Sequence, residues 1–295
     1  MEKIFKLKDD VKGLAWEVSS PKAIVVISHG MAEHASRYGR FANELNKHNY
    51  SVYAIDQIGH GIPPVHKKGH FEPGDFEKCA DNLHTLIEDL HAKYSVKIFL
   101  FGHSMGSFIA QRYIGKYGNS IAGCVLSGSN GPSSIIKVGK MAANFFGAFN
   151  KADKPSKVMN SMSFGSYNKA FKPTRTDFDW LSRDEKEVDK YIADPDCGYL
   201  CTFGFYKEFM GGLNFIYTEE NVNGVPKDLP ILVMSGSADP VGGEVGTTNL
   251  VNMYKEHNIK NIKHTLYPEG RHEMLNEVNR DEVMADIIAY LDEHI

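Results

Sequence analysis

The chemistry-bearing centre of the sequence is a serine between two glycines, Gly102-His103-Ser104-Met105-Gly106. An apolar run, Val96 to Phe101, precedes it, and a helix-compatible segment, Ser107 to Tyr117, follows. A strand that turns sharply into a helix presents the serine hydroxyl above a sheet edge at a helix N-terminus. There the positive end of the helix favours the negative charge of acyl transfer. Side chains at Gly102 and Gly106 would collide with the neighbouring strand and helix, so glycine is expected at both. A serine hydroxyl is a poor nucleophile at neutral pH. It needs a base, usually histidine, and an acid that orients the base. Asp239 follows the apolar run Ile231 to Ser235, and His272 follows the run Lys263 to Tyr267. Each has a bland reading: Ser104 as a helix N-cap, Asp239 before Pro240 as a turn starter, His272 as one of 13 histidines. Their shared order, Ser then Asp then His at successive strand ends, favours a triad of Ser104, Asp239 and His272.

Such a site needs two backbone N–H groups aimed at the developing oxyanion. The expected donors are Met105, just after the nucleophile, and Met31, just after His29-Gly30 at the end of the first buried run. Gly30 lets the backbone approach closely. His29 reads as structural. The His103 side chain is expected to turn away from the substrate, and His60 and His70 have no paired acid legible in the sequence.

The elements that position these residues alternate. Ile4 to Lys8 and Leu14 to Ser19 read as an edge hairpin, with Gly13 near its turn. Ala23 to Ser28 (AIVVIS) is a strand buried on both faces. Then come a helix at Ala35 to His48, a strand at Ser51 to Ile55, a Gly/Pro/His-rich loop from Asp56 to Gly74 and a helix at Asp75 to Tyr94. After the elbow, Ile121 to Ser127 is another strand. The alternation resumes after Leu229 with a strand, a helix at Gly243 to His257, the last strand, and a helix at Met274 to His294. This order predicts an α/β architecture, a mostly parallel sheet with helices on both faces.

Between Gly128 and Leu229 no clear buried strand occurs. Ser134 to Phe149, Thr176 to Tyr191 and Gly198 to Asn214 read as helices. The expected organisation is a core over 1–128 and 230–295, with 129–229 forming a helical cap inserted after the sixth strand. The bland alternative is a packed subdomain without a role at the site.

Composition narrows the function further. Of 295 residues, 42% are hydrophobic and 24% charged, which suits a globular protein. A net charge of −4 without a Lys/Arg block gives no reason to expect nucleic acid. No run reaches membrane-spanning length, the first residues lack a signal-peptide core, and Cys79, Cys124, Cys197 and Cys201 form no Cys-x-x-Cys pair. A cytoplasmic location is the expectation. Cys197 and Cys201 could share a helix face as a metal half-site, but no matching pair lies nearby. The absence of His-Glu-x-x-His, a phosphate loop and Gly-x-Gly-x-x-Gly leaves no cofactor and no metal expected.

The stretches SHGMAEHASRY, DQIGHG, GHSMGS, DWLSRDEKEVDKYIADPDCGY, GSADPVG and GRHEMLNE resemble those of α/β-hydrolases of the serine aminopeptidase, monoacylglycerol lipase and lysophospholipase group. The likeness runs nearly end to end, cap included. The loop Ile58 to Phe71 departs from it, with Pro-Pro where relatives usually carry a Ser. The resemblance implies an α/β-hydrolase fold and an esterase acting on a small ester or single-acyl-chain lipid through an acyl-enzyme. It also implies that Gly30, Glu33 and Arg37 lie near the head-group end of the substrate; a local Glu33–Arg37 ion pair is the alternative. Ser134 to Phe149, with Lys137 and Lys140 beside several large apolar residues, reads either as a pocket cover, the favoured reading, or as a transient contact with a membrane surface. A peptidase would need an acidic cluster in the cap to hold a substrate ammonium. Asp177, Asp179, Asp184, Glu185 and Asp189 are candidates, though they read as a solvated face. A binding module that keeps the fold but has lost its chemistry is a further alternative, and oligomeric state is not legible.

Overall fold

The computed structural model describes residues 2–7, 10–61, 64 and 67–295. Its framework follows from the apolar runs. β1 (Glu2–Lys6) and β2 (Lys12–Trp16) are followed by β3 (Ala23–Ser28), β4 (Tyr50–Ile55), β5 (Lys97–His103), β6 (Gly123–Ser127), β7 (Ile231–Gly236) and β8 (Ile262–Tyr267). Every residue of β3, β4, β6 and β7 is buried. The eight strands form one sheet in the order β1-β2-β4-β3-β5-β6-β7-β8. β1 pairs antiparallel with β2, and β2 with β4; all other pairs are parallel.

Strand side chains alternate between faces, and the two helical layers divide accordingly. Ile24 and Val26 pack with α2 (Asp75–Lys93), α3 (Met105–Tyr117) and α9 (Gly243–Glu256). Ala23, Val25 and Ile27 pack on the other face with α1 (Gly39–Lys47) and α10 (Arg280–Glu293). This is the expected α/β architecture. Among the described residues no helix is long and apolar enough to cross a membrane.

Several boundaries differ from the sequence reading. Gly13 lies within β2 opposite Phe5, not at the turn, and a Cβ there would sit 2.4 Å from the Phe5 ring. Lys8 lies outside the described residues, as do residues 62, 63, 65 and 66 of the Asp56–Gly74 loop. Ala35–Tyr38 is a 3-10 turn leading into α1.

Between β6 and β7 the chain forms α4 (Ser134–Phe149), α5 (Lys157–Phe164), α6 (Glu185–Ala193), α7 (Phe203–Ile216) and α8 (Glu219–Gly224). The helix expected over Thr176 to Tyr191 starts nine residues later, at Glu185. The Asp179 carboxylate accepts bonds from the Arg175 and Thr176 N–H groups, holding a turn, and Asp184 caps α6. The helix expected from Gly198 starts at Phe203, behind a Thr202 cap, because Gly198 adopts φ 67° and its N–H donates to Ala32.

Candidate active site

Ser104 joins β5 to α3 at φ 52° and ψ −120°, a conformation rare for a residue with a side chain. Its surroundings hold it there. The Ser104 N–H donates to Ser127 O at 2.9 Å, and the Ser107 hydroxyl donates to Ser104 O at 2.6 Å. A Cβ on Gly106 would sit 2.0 Å from Ser28 O, and one on Gly102 would sit 2.5 Å from Gly106 O. Glycine at both positions lets α3 start against the sheet.

Asp239 lies just past β7, where its carboxylate accepts from the Val241 N–H and the Ser235 hydroxyl, both at 2.9 Å. His272 lies in the loop after β8. Its Nδ1 is 3.0 Å from both Asp239 oxygens, and its Nε2 is 2.9 Å from Ser104 Oγ. The structure therefore brings together the three residues expected from the sequence. Burial alone would push the His272 imidazole down, but the Asp239 charge and hydrogen bond outweigh it and hold the imidazole above its ordinary pKa. Burial likewise works against the Asp239 carboxylate, which the His272 charge and hydrogen bond nevertheless hold below its usual range.

Met105 is the first residue of α3, so its N–H is one of the free donors of a helix start. The Met31 N–H also has no protein acceptor among the described residues. Gly30 packs tightly against the elbow; a Cβ there would lie 3.3 Å from Ser104 Cβ and 2.7 Å from Glu33 Oε1.

Glu33 and Arg37 bond to one another and to the protein. Glu33 accepts from the Gly30 N–H at 2.5 Å, from the Tyr38 hydroxyl at 2.8 Å and from Arg37 at 2.5 Å. Arg37 continues as a bidentate pair to Glu273 at 2.7 and 2.8 Å. Burial would raise the Glu33 carboxyl, but the Arg37 guanidinium holds it down at about 2. Glu33 borders the cavity described below, and Arg37 does not. Glu273, the residue after His272, is the member of this network that sequence reasoning missed.

His103 lies beside Ser104 in the elbow. It borders the cavity, and its ring centre is 4.8 Å from that of His272. Burial and the neighbouring His272 push its imidazole down to about 4. His70 has an acid partner after all, Glu72 at 3.1 Å, and also meets Thr202. His60 has none among the described residues; it is buried against Phe71, Tyr199 and Phe205. His29 is buried and accepts from the Gln57 N–H, as a structural residue would.

A cavity of about 1030 Å3 opens above Ser104, His272 and Met31. Its walls include Ile136 of α4, Met159 of α5, Phe108 of α3, and Tyr206, Phe209 and Leu213 of α7. Trp180, in the 3-10 turn Asp179–Leu181, packs with its ring centre 5.1 Å from that of His272. No local sequence signal marks this contact.

A mostly parallel sheet with Ser104 on a β5–α3 elbow and an insertion before β7 is the α/β-hydrolase fold. Within it, the chain belongs to the serine aminopeptidase S33 family, whose model matches residues 19–279. It is 28% identical to the mouse (Mus musculus) monoglyceride lipase over 90% of this chain and 84% of that protein. It is 26% identical to the monoacylglycerol lipase of Mycolicibacterium smegmatis, over 94% and 90% of the two chains. Among solved structures, a thermostable carboxyl esterase from Bacillus coagulans in complex with glycerol superposes with a TM-score of 0.90. It is 26% identical, with 100% of this chain and 98% of the other covered. These relatives are hydrolases of the lipase and esterase type.

Proposed function

We propose that this chain is a serine carboxylic ester hydrolase that cleaves monoacylglycerols, lysophospholipids or small esters. The observation that carries the reading is His272, within hydrogen-bond reach of both Ser104 Oγ and Asp239 at the floor of a largely apolar cavity. In the mechanism, Ser104 Oγ attacks the ester carbonyl while His272 Nε2 takes its proton. The carbonyl oxygen becomes an oxyanion received by the Met31 and Met105 N–H groups. The intermediate collapses, and the alcohol leaves with the proton from His272. Water then attacks the acyl-enzyme through the same base, releasing the acid and restoring Ser104.

In this reading residues 129–229 act as a cap over a core formed by 1–128 and 230–295, with α4, α5 and α7 walling the acyl chain. The cap also meets lipid surfaces transiently. α4 exposes Ile135, Met141, Phe145 and Phe149 beside Lys137 and Lys140, as an interfacial helix does. Gly30 and Glu33 stand at the head-group end, with Arg37 behind them. Four free, buried cysteines suit a reducing compartment such as the cytoplasm.

A peptidase reading is favoured less. Asp179 and Asp184 are engaged by backbone N–H groups, Asp189 pairs with Arg175, and of the five cap acids only Asp177 borders the cavity.

Hydrolysis of p-nitrophenyl esters from acetate to palmitate, by wild type and Ser104→Ala, tests the proposal. The expected result is activity in wild type, near-background rates in the variant, and a chain-length optimum that reports cavity depth. Wild-type inactivity on every ester, monoacylglycerol and lysophospholipid would refute it.

A further inference from the structure

Away from the triad, the insertion meets the strand-end loop that carries Met31. There, one cluster of three chemically distinct ligand types comes together. His34 Nε2, an Asp194 carboxylate oxygen and Cys197 Sγ all lie within 4.8 Å of one another. His34 Nε2 is 3.0 Å from Asp194 Oδ2, and Cys197 is free and buried.

We propose that His34, Asp194 and Cys197 form a binding site for a divalent cation of the zinc class. The donor set is one imidazole, one carboxylate and one thiol, the borderline mixture that zinc and cobalt favour over magnesium or calcium. Tetrahedral ligation at ordinary bond lengths sets donor atoms roughly 3.3–3.6 Å apart. The His34–Asp194 pair is therefore near the required spacing, and the thiol needs only a modest rotation or shift to join it.

The groups behind the ligands are already arranged as a metal site requires. The other imidazole nitrogen, Nδ1, is 2.8 Å from the Ser36 hydroxyl, leaving Nε2 aimed at the cluster. The other Asp194 oxygen accepts from the Asp196 N–H at 2.9 Å, so Oδ2, which faces His34 Nε2, is the oxygen placed to ligate. The Cys197 N–H donates to Asp194 O at 3.1 Å, so the turn from Asp194 to Cys197 presents both ligands on one side.

Neighbouring cations are already neutralised. Arg37 is held between Glu33 and Glu273, and Lys68 is paired with Asp196. The Asp194 side chain is 30% exposed, which gives an ion a way in and a water molecule the fourth position. On binding, the cation takes the electron pairs of Nε2 and Sγ. The thiol proton passes to water, and the single proton of the neutral imidazole, moved to Nδ1 through water, is donated to the Ser36 hydroxyl oxygen.

An ion there would tie the two segments together. The Gly198 N–H and the Tyr191 hydroxyl already donate to Ala32 O at 3.0 and 3.1 Å, beside the site. The expectation of no metal rested on spacing along the sequence. It could not register a set in which His34 lies 160 residues from Asp194.

The test is a Co2+ titration of the full chain, kept reduced with a phosphine. The expected result is one equivalent of a thiolate-to-cobalt charge-transfer band with tetrahedral visible bands, displaced by Zn2+. Cys201→Ser keeps the band, and Cys197→Ser abolishes it. Ser36→Ala, which leaves all three ligands in place, weakens Co2+ binding by about 10–100-fold. Circular dichroism confirms that each variant is folded. Absence of the band in folded wild type with Co2+ in excess overturns the proposal, and so does a band that survives in folded Cys197→Ser. Should Cys197→Ser not fold, unchanged Co2+ affinity in Ser36→Ala is the overturning result.

Discussion

Two parts of the insertion that border the cavity are held in opposite ways. Residues 179–183 are joined to the His272 loop by directed bonds. The His272 and Glu273 N–H groups donate to Trp180 O and Leu181 O, at 3.4 and 2.7 Å. Ser182 Oγ donates to Asn276 O, and Arg271 reaches Asp179 O and Ser182 O. Glu277, fully buried, accepts from the Arg183 backbone and guanidinium, and from the Arg271 and Val278 N–H groups. α4 is held quite differently. Of its sixteen residues only Ala143 is buried, and it lies on α7 through apolar contacts and one bond from Asn214 to Ile136 O. Ile135 and Phe149 are 77% and 76% exposed. Directed bonds fix angles, whereas apolar contact permits sliding. The segment beside the imidazole is fixed by directed bonds, and α4 by apolar contact alone apart from the bond from Asn214.

The largest effect that sharpens this contrast is expected at the centre of the fixed part. Asp239→Asn keeps the shape but removes the charge that orients His272, and the rate falls by about 10⁴-fold. The reaction needs a neutral imidazole. In wild type the raised pKa therefore means that activity is lost as pH falls through that value. Without the carboxylate, burial dominates, so the acidic limb of the kcat/KM profile moves to lower pH; a limb that stays in place contradicts the role given to Asp239. A smaller effect is expected at Glu277→Gln, which leaves buried donors facing an amide. Stability falls by about 2–3 kcal/mol in urea unfolding, and kcat falls with little change in KM. Full stability would mean that the directed bonds do not fix the loop. The smallest effect on chemistry is expected in α4. Phe145→Ser/Phe149→Ser hydrolyses a short soluble ester within about twofold of wild type, yet floats less with liposomes. Equal flotation of both proteins, or none, removes the lipid-surface role.

The same contrast explains what was legible in the sequence. Ser104 stood out because its constraints are local: two glycines, an apolar run before it and a helix after it. Asp239 and His272 could be assigned because each lies in the loop that follows a strand. α4 was legible to the residue, since Ser133 caps its start and its periodicity is strong. The directed bonds were not legible. Glu277 and Arg183 are 94 residues apart, and neither lies in a periodic segment that points to the other. The Thr176 to Tyr191 stretch looked helical because its charges recur at helical spacing, but local bonds from Asp179 divert its first half into a turn. α5 was missed because KVMNSMSF offers too short an apolar stripe. The elbow motif says where the His103 backbone goes and little about its ring.

The most direct test of the account is intact-protein and peptide mass spectrometry after treatment with a fluorophosphonate, which phosphonylates an activated serine and releases fluoride. The account expects one adduct per chain, on Ser104, and none on Ser104→Ala. An adduct on a different serine, or no adduct on folded wild type, would contradict it.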